Sequence, residues 1–559
     1  MTSPEPSTDK PLRVGLLLDS YDQPRWIQRV ILDVQSSSVA EVVLVVKNGH
    51  VPQERTGFMR RLWKQRKLLL YKLYTRLDQR LFTLEPDAFE PVGVADLLDS
   101  VPEIVVSPTM ERFSDSFLPE DVEAVGAHNL DVALRFGFRI LKGDALHIAR
   151  HGVWSYHHDD PLVIRGGPPG FWEVMTDDPV TGSILQVLTE DLDNGRVLYR
   201  SWSPTVSRFS VRKNNNNNFW KSSAFVKRKL EELATSDGDA LTEAEPVYRP
   251  YSRPLYRTPT NSQMLRLSWG LTKRATARSF VKTFYFEQWA LAYRFGSSPS
   301  DLNDAMFRFE RLVPPKGRFW ADPFPATDDG KHYIFFEEFV ARSGKAHISV
   351  LEVNRTGVVA GPSKVLERDY HLSYPFVFQW QDSYFMVPET GANRTVELYR
   401  SVSFPDRWEL EKVLLEAKNP HDATLFEDGD RWWMFVNIEV EGASTNWDEL
   451  HLFHATSPLG PWLPHRRNPV KSDVRGSRPA GRLFRRGGAL YRPSQDCSRR
   501  YGYATSINRV LRLTPDEYEE EEISKNLPEW GDGVIGTHTL NVLEGFTVVD
   551  YLARRRKIL

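Results

Sequence analysis

Five segments in the second half of the chain share one layout: a polar opening beside Pro or Thr, an apolar pair, a turn and an aromatic strand. Ala321-Asp322-Pro323-Phe324 leads to HYIFFEE, and Tyr374-Pro375-Phe376-Val377-Phe378 to SYFMVPE. His421-Asp422-Ala423-Thr424-Leu425-Phe426 leads to RWWMFV, Arg478-Pro479-Ala480-Gly481-Arg482-Leu483 to ALYRPSQD, and His538-Thr539-Leu540-Asn541 to FTVVDY. Asp322, Tyr374, Asp422, Arg478 and His538 follow one another at intervals of 52, 48, 56 and 60 residues. A period near ~50 residues with several strands per unit is what a β-propeller requires. Five repeats predict five blades; an irregular β-sandwich is the alternative. Innermost propeller strands point polar residues into the channel, so Asp322, Glu389, Asp422, Arg478 and His538 are expected at one channel mouth. Three acids, one base and a titratable ring there suit a polyhydroxylated ligand with an anionic group near Arg478.

Composition narrows the function classes. The chain has 559 residues, 41% hydrophobic and 26% charged, and a formal charge of −2. At ~100–200 residues per domain this predicts two to four domains. The balanced charge argues against a nucleic-acid binder. The single cysteine, Cys497, excludes an intramolecular disulfide framework and cysteine-rich metal sites; no metal is expected. No stretch reaches the ~18 apolar residues of a membrane helix. Residues 1–11 read as a polar, Pro-rich tail rather than a signal peptide, so a cytoplasmic location is expected.

The first half has another texture. LRVGLLL at 12–18, WIQRVILDV at 26–34 and VVLVV at 42–46 give strand, helix and strand within about forty residues, a parallel βαβ unit. No GxGxxG follows the first strand, so the dinucleotide fingerprint is missing. Residues 60–82 are a basic amphipathic helix that faces a membrane or an anion, or else solvent over a buried Leu/Tyr/Trp stripe, the reading preferred. Residues 104–106 and 130–138 read as buried strands, 219–233 as a helix, and Asn214–Asn218 as a polar loop. Residues 235–262 are Pro- and Ser/Thr-rich and read as a linker, followed by a helical stretch over 263–295. The expected domains are an α/β domain at 12–235, a linker and helical segment at 236–304, and the propeller at 305–559.

The densest polar chemistry lies in 152–200. A strand carries Ser155 and His157 on one side, a Pro- and Gly-rich loop spans Pro161 to Pro169, and Thr181-Gly182 opens a strand that ends at Leu192-Asp193-Asn194-Gly195. Two glycines allow positive φ or close backbone approach. A histidine and an aspartate at adjoining strand ends suit a His–Asp pair in which the carboxylate orients the imidazole as a base for an amine. Turn polar residues are the alternative.

These motifs carry resemblances. Ser155-Tyr156-His157, Pro161, Arg165-Gly166, Thr181-Gly182 and Leu192-Asp193-Asn194-Gly195 resemble the folate-dependent formyltransferases, whose pattern is Asn-x-His, Pro, Arg-Gly, Thr-Gly and Leu-Asp-x-Gly; LDVALRFGFRIL, which contains Gly137, is similar to the family's preceding strand. The resemblance implies a Rossmann-like α/β fold and 10-formyltetrahydrofolate as donor, with Arg165, Gly166, Gly167 and Gly137 as its binding residues. It further implies His157 as base and Asp193 as its holder, with Ser155 at the family's oxyanion-donor position. FWADPF at 319–324 resembles the five-bladed glycosidases of the arabinanase, xylosidase and invertase group. FWADPF, YPFVF…YFMVPET at 374–390 and RPSQDCSRRYG at 492–502 are similar to the propeller-type N-terminal region of glucosamine inositolphosphorylceramide transferases. Asp322 matches the glycosidase base position, whereas Tyr374 stands where an aspartate, and Asp422 where a glutamate, is expected. Three functions follow as expectations. The first is one-carbon transfer to an amine of an amino sugar or glycoconjugate held by the propeller, without stable membrane insertion. The others are glycoside hydrolysis in the propeller and non-catalytic glycan binding.

Overall fold

The computed structural model describes residues 10–50, 66–111, 113–191, 195–235, 251–296, 305–417 and 419–557. The chain divides into two compact units between Thr272 and Lys273, with Val440–Ser444 counted with the first.

The first unit is built on a seven-stranded sheet. Leu12–Leu18 lies at its centre, parallel to Ala40–Asn48 on one side and Val132–Arg135 on the other. Glu103–Val106 extends the sheet in parallel beyond Ala40–Asn48, and Val153–His157 beyond Val132–Arg135. Val180–Val187 and Arg196–Pro204 complete it as antiparallel strands. Both faces are buried, as a parallel sheet demands. Leu16 and Leu18 pack with Trp26, Ile27, Val30 and Ile31 of helix Arg25–Gln35, while Leu17 packs with Phe117, Val125 and Leu146 on the opposite face. The chain adds strands outward from Leu12–Leu18 first in one direction and then in the other, so a topological switch point lies between Leu12–Leu18 and Val132–Arg135.

The Asn214–Asn218 run is not a loop. It lies in helix Val211–Thr235, and Asn214, Asn216, Asn217 and Asn218 are buried. Asn218 Nδ2 donates to the carbonyls of His158 (3.3 Å) and Gly182 (3.2 Å). Asn216 accepts from Ala88 N (2.7 Å) and donates to Pro86 O (3.1 Å). Asn214 donates to Thr181 Oγ1 (2.9 Å) and accepts from Val206 N (3.1 Å). Asparagine is a weak helix former. Here Asn216 both donates to and accepts from neighbouring backbone, Asn214 accepts from backbone and Asn218 donates to it.

The second unit is a propeller of five sheets. Blade one runs Arg318–Asp328, Lys331–Val340, Lys345–Asn354 and Gly357–Leu366. Blade two runs Ser373–Trp380, Ser383–Thr390, Thr395–Ser403 and Arg407–Glu416. Blade three opens with Pro420–Asp428 and Arg431–Ile438, and blade four contains Ala489–Asp496 and Ala504–Leu513. Blade five joins the two ends of the unit: Tyr285–Phe295 pairs antiparallel with Phe546–Arg556 along its whole length. That strand corrects the reading of 263–295 as helical, since the helix is Asn261–Phe284 and Tyr285–Phe295 is strand. Its local partner, Glu310–Leu312, pairs with only three of its residues. Its full-length partner lies about 260 residues away, and that pairing closes the ring.

Candidate functional site

The propeller openings are set by a bulge repeated in three blades. Pairing between the first and second strands skips from Ala321 to Phe324, from Ser373 to Phe376 and from His421 to Thr424. The residues in the gaps, Asp322, Tyr374 and Asp422, take left-handed φ values of 52°, 45° and 52°. A non-glycine residue held there costs about 1–3 kcal/mol and persists only where surrounding contacts impose it.

Those contacts form two linked groups. In the first, His538 lies between two carboxylates, with Nε2 3.2 Å from Asp322 Oδ1 and Nδ1 2.7 Å from Asp550 Oδ2. Asp322 also accepts from Thr539 Oγ1 (2.8 Å) and Tyr374 N (3.2 Å), and its own N–H donates to Asp550 Oδ2 (3.0 Å). Burial works against the His538 cation, but Asp550 and Asp322 outweigh it and raise its pKa to about 9. Burial, opposed by His538, pushes the Asp322 carboxyl well above its usual range. Ligand-type atoms of Asp322, His538 and Asp550 lie within 4.8 Å of one another. One ring nitrogen faces each carboxylate, so the imidazole spans the space between them.

In the second group, Arg478 Nε donates to Asp422 Oδ2 (2.5 Å) and Nη2 to Glu389 Oε2 (3.2 Å). Gln495 Nε2 donates to Asp422 Oδ2 (2.9 Å), and His421 Nδ1 lies 3.1 Å from Glu389 Oε1. Burial raises Asp422 to about 7 against the pull of Arg478, with Glu389 adding to the rise. Burial also acts to raise Glu389, but His421 and Arg478 overcome it and hold that carboxyl below its normal range. Two neighbouring carboxyls are thus driven apart, one kept protonated near neutrality and one ionised. The Tyr501 ring joins the groups, with its centroid 5.0 Å from Arg478 Cζ and 5.2 Å from the His538 ring. On the second strand of blade one, Glu337 occupies the register position that Glu389 holds in blade two, and it pairs with His371 at 3.0 Å.

The structure therefore brings Asp322, Glu389, Asp422, Arg478 and His538 together. It corrects the role expected of Arg478, whose guanidinium is closed by Asp422 and Glu389 and does not face an anionic ligand. Asp322 is 2% exposed with both oxygens engaged, an arrangement that holds the blade opening rather than activating a water. Sequence reasoning missed Asp550, Tyr501, His421, Glu337 and His371. Asp550 and Tyr501 lie inside the quoted FTVVDY and RPSQDCSRRYG, and His421 directly precedes Asp422.

In the α/β unit, His157 ends the strand Val153–His157. Its Nδ1 lies 3.0 Å from the Asp159 carbonyl. The Asp159 N–H also approaches Nδ1, at 3.3 Å, so the Asp159 backbone fixes the ring. This backbone contact stands where an Asp193 carboxylate was expected; Asp193 itself lies outside the described residues. Ser155 is buried, and its Oγ accepts from Arg135 Nε (3.1 Å) and Nη2 (2.9 Å). It is thus no open oxyanion donor. Arg135 is the positive charge at this strand end, beside the switch point. Burial lowers its pKa, opposed by Asp19 and Asp115. Asp159 accepts from Gly170 N at 2.9 Å. Burial and then Glu173 raise its carboxyl, and burial raises Glu173 to about 7. The neighbouring His158 is structural. It is buried and stacked 3.5 Å from the Phe219 ring, and burial lowers its pKa to about 3.

The loop assigned to a folate is held against Tyr251 and Tyr256. A Cβ at Gly166 would stand 2.0 Å from Tyr256 O, Gly167 N donates to that same carbonyl at 3.3 Å, and Arg165 N donates to Tyr251 Oη at 3.0 Å. Gly137 is needed because a Cβ would meet Asp19 N at 2.4 Å. Gly166 and Gly137 serve close approach of the chain to itself, whereas a Cβ at Gly167 would meet nothing nearer than 3.8 Å.

Residues 313–536 match the family model described as "Glucosamine inositolphosphorylceramide transferase 1, N-terminal". A glucosamine inositolphosphorylceramide transferase 1 from Oryza sativa subsp. japonica is 33% identical over 266 residues, covering 43% of this chain and 35% of the relative. That from Arabidopsis thaliana is 34% identical over 212 residues, covering 37% and 28%. The chain thus spans about a third of the length of these relatives. Among solved structures, glycinamide ribonucleotide transformylase 1 from Symbiobacterium toebii covers 40% of this chain and 88% of its own, at 12% identity and a TM-score of 0.27. Zg3597, a family 117 glycoside hydrolase from Zobellia galactanivorans, covers 48% and 90%, at 14% identity and a TM-score of 0.31. The fold assignment rests on the strand pairing above. The propeller of this chain is similar in sequence to the N-terminal region of glucosamine inositolphosphorylceramide transferases.

Proposed function

We propose that the chain is a transferase that delivers a formyl or other small acyl unit to an amine of a glycoconjugate. His157 acts as the base and the propeller mouth binds the glycan. The observation that carries the reading is the His157 imidazole, fixed through Nδ1 by the Asp159 backbone at the end of strand Val153–His157. As the amine attacks the acyl carbon, a proton leaves nitrogen for the imidazole and negative charge gathers on the acyl oxygen; when that charge returns, the bond from the acyl carbon to the donor breaks and the departing amine or thiol takes the proton. Arg135, whose guanidinium is hydrogen-bonded to Ser155 Oγ and to the Phe138 and Arg139 carbonyls, contributes through its field and not as a free donor. Glu337, beside His371, supplies an acceptor for sugar hydroxyls. The similarity of the propeller to transferases named for glucosamine and inositolphosphorylceramide supports a glycoconjugate of that class as acceptor. Asp322, closed into its own network, leaves the propeller without the free base that glycoside hydrolysis requires. A cytoplasmic location belongs to this reading; the lone, buried Cys497 asks for no oxidising compartment.

The test is product detection. The full chain is incubated with glucosamine, glucosamine-inositol and glucosamine-inositol phosphate. The donors are 10-formyltetrahydrofolate, formyl-coenzyme A and acetyl-coenzyme A, and mass spectrometry follows the acceptor. An N-acylated acceptor with any donor supports the reading. Unmodified acceptor in every combination overturns it.

A further inference from the structure

Two carboxyls meet beside the turn that carries His157. Asp159 and Glu173 are each 1% exposed, and their side chains hydrogen-bond each other. Asp159 Oδ1 also accepts from Gly170 N at 2.9 Å. Two carboxylates in contact and out of water repel each other and lose hydration together, so the pair keeps one proton and titrates as a unit. The protonated member then has the O–H that makes the bond between them.

That bond closes a loop. Asp159 lies just after strand Val153–His157, and Glu173 lies on the short helix Phe171–Thr176, so the clip joins the two ends of residues 160–170. Asp159 is also the residue whose backbone fixes the His157 ring, with Nδ1 3.0 Å from its carbonyl oxygen and 3.3 Å from its nitrogen. The short helix is itself held, since the Phe171 ring packs on Tyr71 and Tyr74 of helix Leu69–Leu81, with centroids 5.4 Å and 6.2 Å away. On that helix Leu69, Leu73, Leu77 and Leu81 are exposed. The buried Leu/Tyr/Trp stripe expected for residues 60–82 is therefore corrected: the two tyrosines pack inward and these leucines do not, while residues 60–65 lie outside the described residues.

No cation among the described residues forms an ion pair with either carboxyl. Arg253 Nη1 lies 3.5 Å from Asp178 Oδ2; burial raises Glu173, Asp178 adds to the rise and Arg253 opposes it. Asp160 is closed by Arg200 and by Trp202 Nε1, and the His158 ring is stacked on Phe219. On helix Val211–Thr235, Arg212 pairs with Asp87 and Lys221 has a partner of its own, while Asp78 of Leu69–Leu81 accepts from Arg212 N. We propose that Asp159 and Glu173 hold one proton between them and act as positioning residues for His157. With the proton in place, the loop is clipped shut and the Asp159 backbone grips the imidazole; loss of the proton opens the clip and frees the ring. The release falls near neutral pH, since burial raises Glu173 to about 7. The use of this grip in acyl transfer rests on His157 as the base, whereas the shared proton does not.

The test reads the ring and not the product. NMR of the full chain with labelled histidine rings follows His157 between about pH 5 and about pH 9, and His157→Ala identifies its resonance. In the wild type the resonance is expected to move in two steps, one for the ring's own titration and one for the pair. Glu173→Gln keeps a donor to Asp159 but has no proton to lose, so it is expected to keep the wild-type resonance at the acid end and to lose the second step. Glu173→Ala leaves Asp159 without its donor and is expected to displace the resonance over the whole range. The proposal is overturned if wild type and Glu173→Gln titrate alike, or if a folded Glu173→Ala leaves the resonance in place; should the alanine variant fail to fold, the glutamine comparison decides alone. Absence of acyl transfer with the expected ring titration would overturn the proposed function and leave the shared proton standing.

Discussion

Arg478 Nε and Asp422 Oδ2 lie 2.5 Å apart with both side chains buried, so the opening of blade three is tied to that of blade four by a single charged contact. Removing one partner of a buried pair leaves the other uncompensated, at a cost of about 3–5 kcal/mol. Arg478→Met should therefore lower unfolding free energy by about that amount in urea titrations, because Asp422 and Glu389 then face each other without a cation. Asp422→Asn should cost less, since the amide can still receive the guanidinium N–H.

Stability should fall with rising pH across two windows. Asp422 sits at about 7 in the folded chain against 3.8 as a free side chain. A raised carboxyl holds its proton longer when folded, so stability is lost as pH climbs from about 4 to about 7. His538 sits at about 9 against 6.5. The stabilisation it gives as a cation is complete below about 6.5 and is lost as pH rises through about 9, on the order of 3 kcal/mol. Urea unfolding followed between about pH 5 and pH 9 should show the decline. His538→Gln should flatten only its upper part.

Asn218→Ala should destabilise the α/β unit even though alanine is the better helix former. The propensity gain is about 0.5–0.7 kcal/mol. Against it stand two buried carbonyls, His158 O and Gly182 O, that lose their donor. An unsatisfied buried group costs about 1–3 kcal/mol. A net loss of about 1–3 kcal/mol is expected by chemical denaturation, and a stabilised variant would show that water reaches those carbonyls.

The paired-strand parts of both folds were legible because their signals are local: alternating aromatic strands at a ~50-residue period, and the LRVGLLL and VVLVV runs. The strand Tyr285–Phe295 was not, since its full-length partner is at the other end of the propeller. The asparagine run was misread for a related reason. Composition marks asparagine as a turn residue, and only the packed structure supplies the carbonyls that make it a helix-borne clamp. The site was half legible. Asp322, Asp422, Arg478 and His538 stand out because the repeat sets their positions. Asp550, Tyr501 and His371 sit off the repeat and are brought in by packing. Ser155 and the Arg165–Gly167 loop carried a motif whose partners, Arg135 and Tyr256, lie 20 and about 90 residues away.

Glycan binding should depend on Glu337 more than folding does. Its partner His371 is exposed at 40%, so the pair contributes at most about 1 kcal/mol to stability. Glu337→Gln should weaken binding of a glucosamine-inositol ligand about tenfold in calorimetry, with a nearly unchanged unfolding midpoint. Equal affinity in the variant would place the glycan away from this mouth.

The most direct test of the account is the acyl-transfer rate of His157→Ala against wild type at saturating acceptor, measured as N-acylated product over a range of pH. The account predicts a loss of about 10²–10⁴-fold, the usual contribution of a positioned base. It also predicts that the variant retains its glycan affinity. Transfer by His157→Ala at the wild-type rate would contradict it.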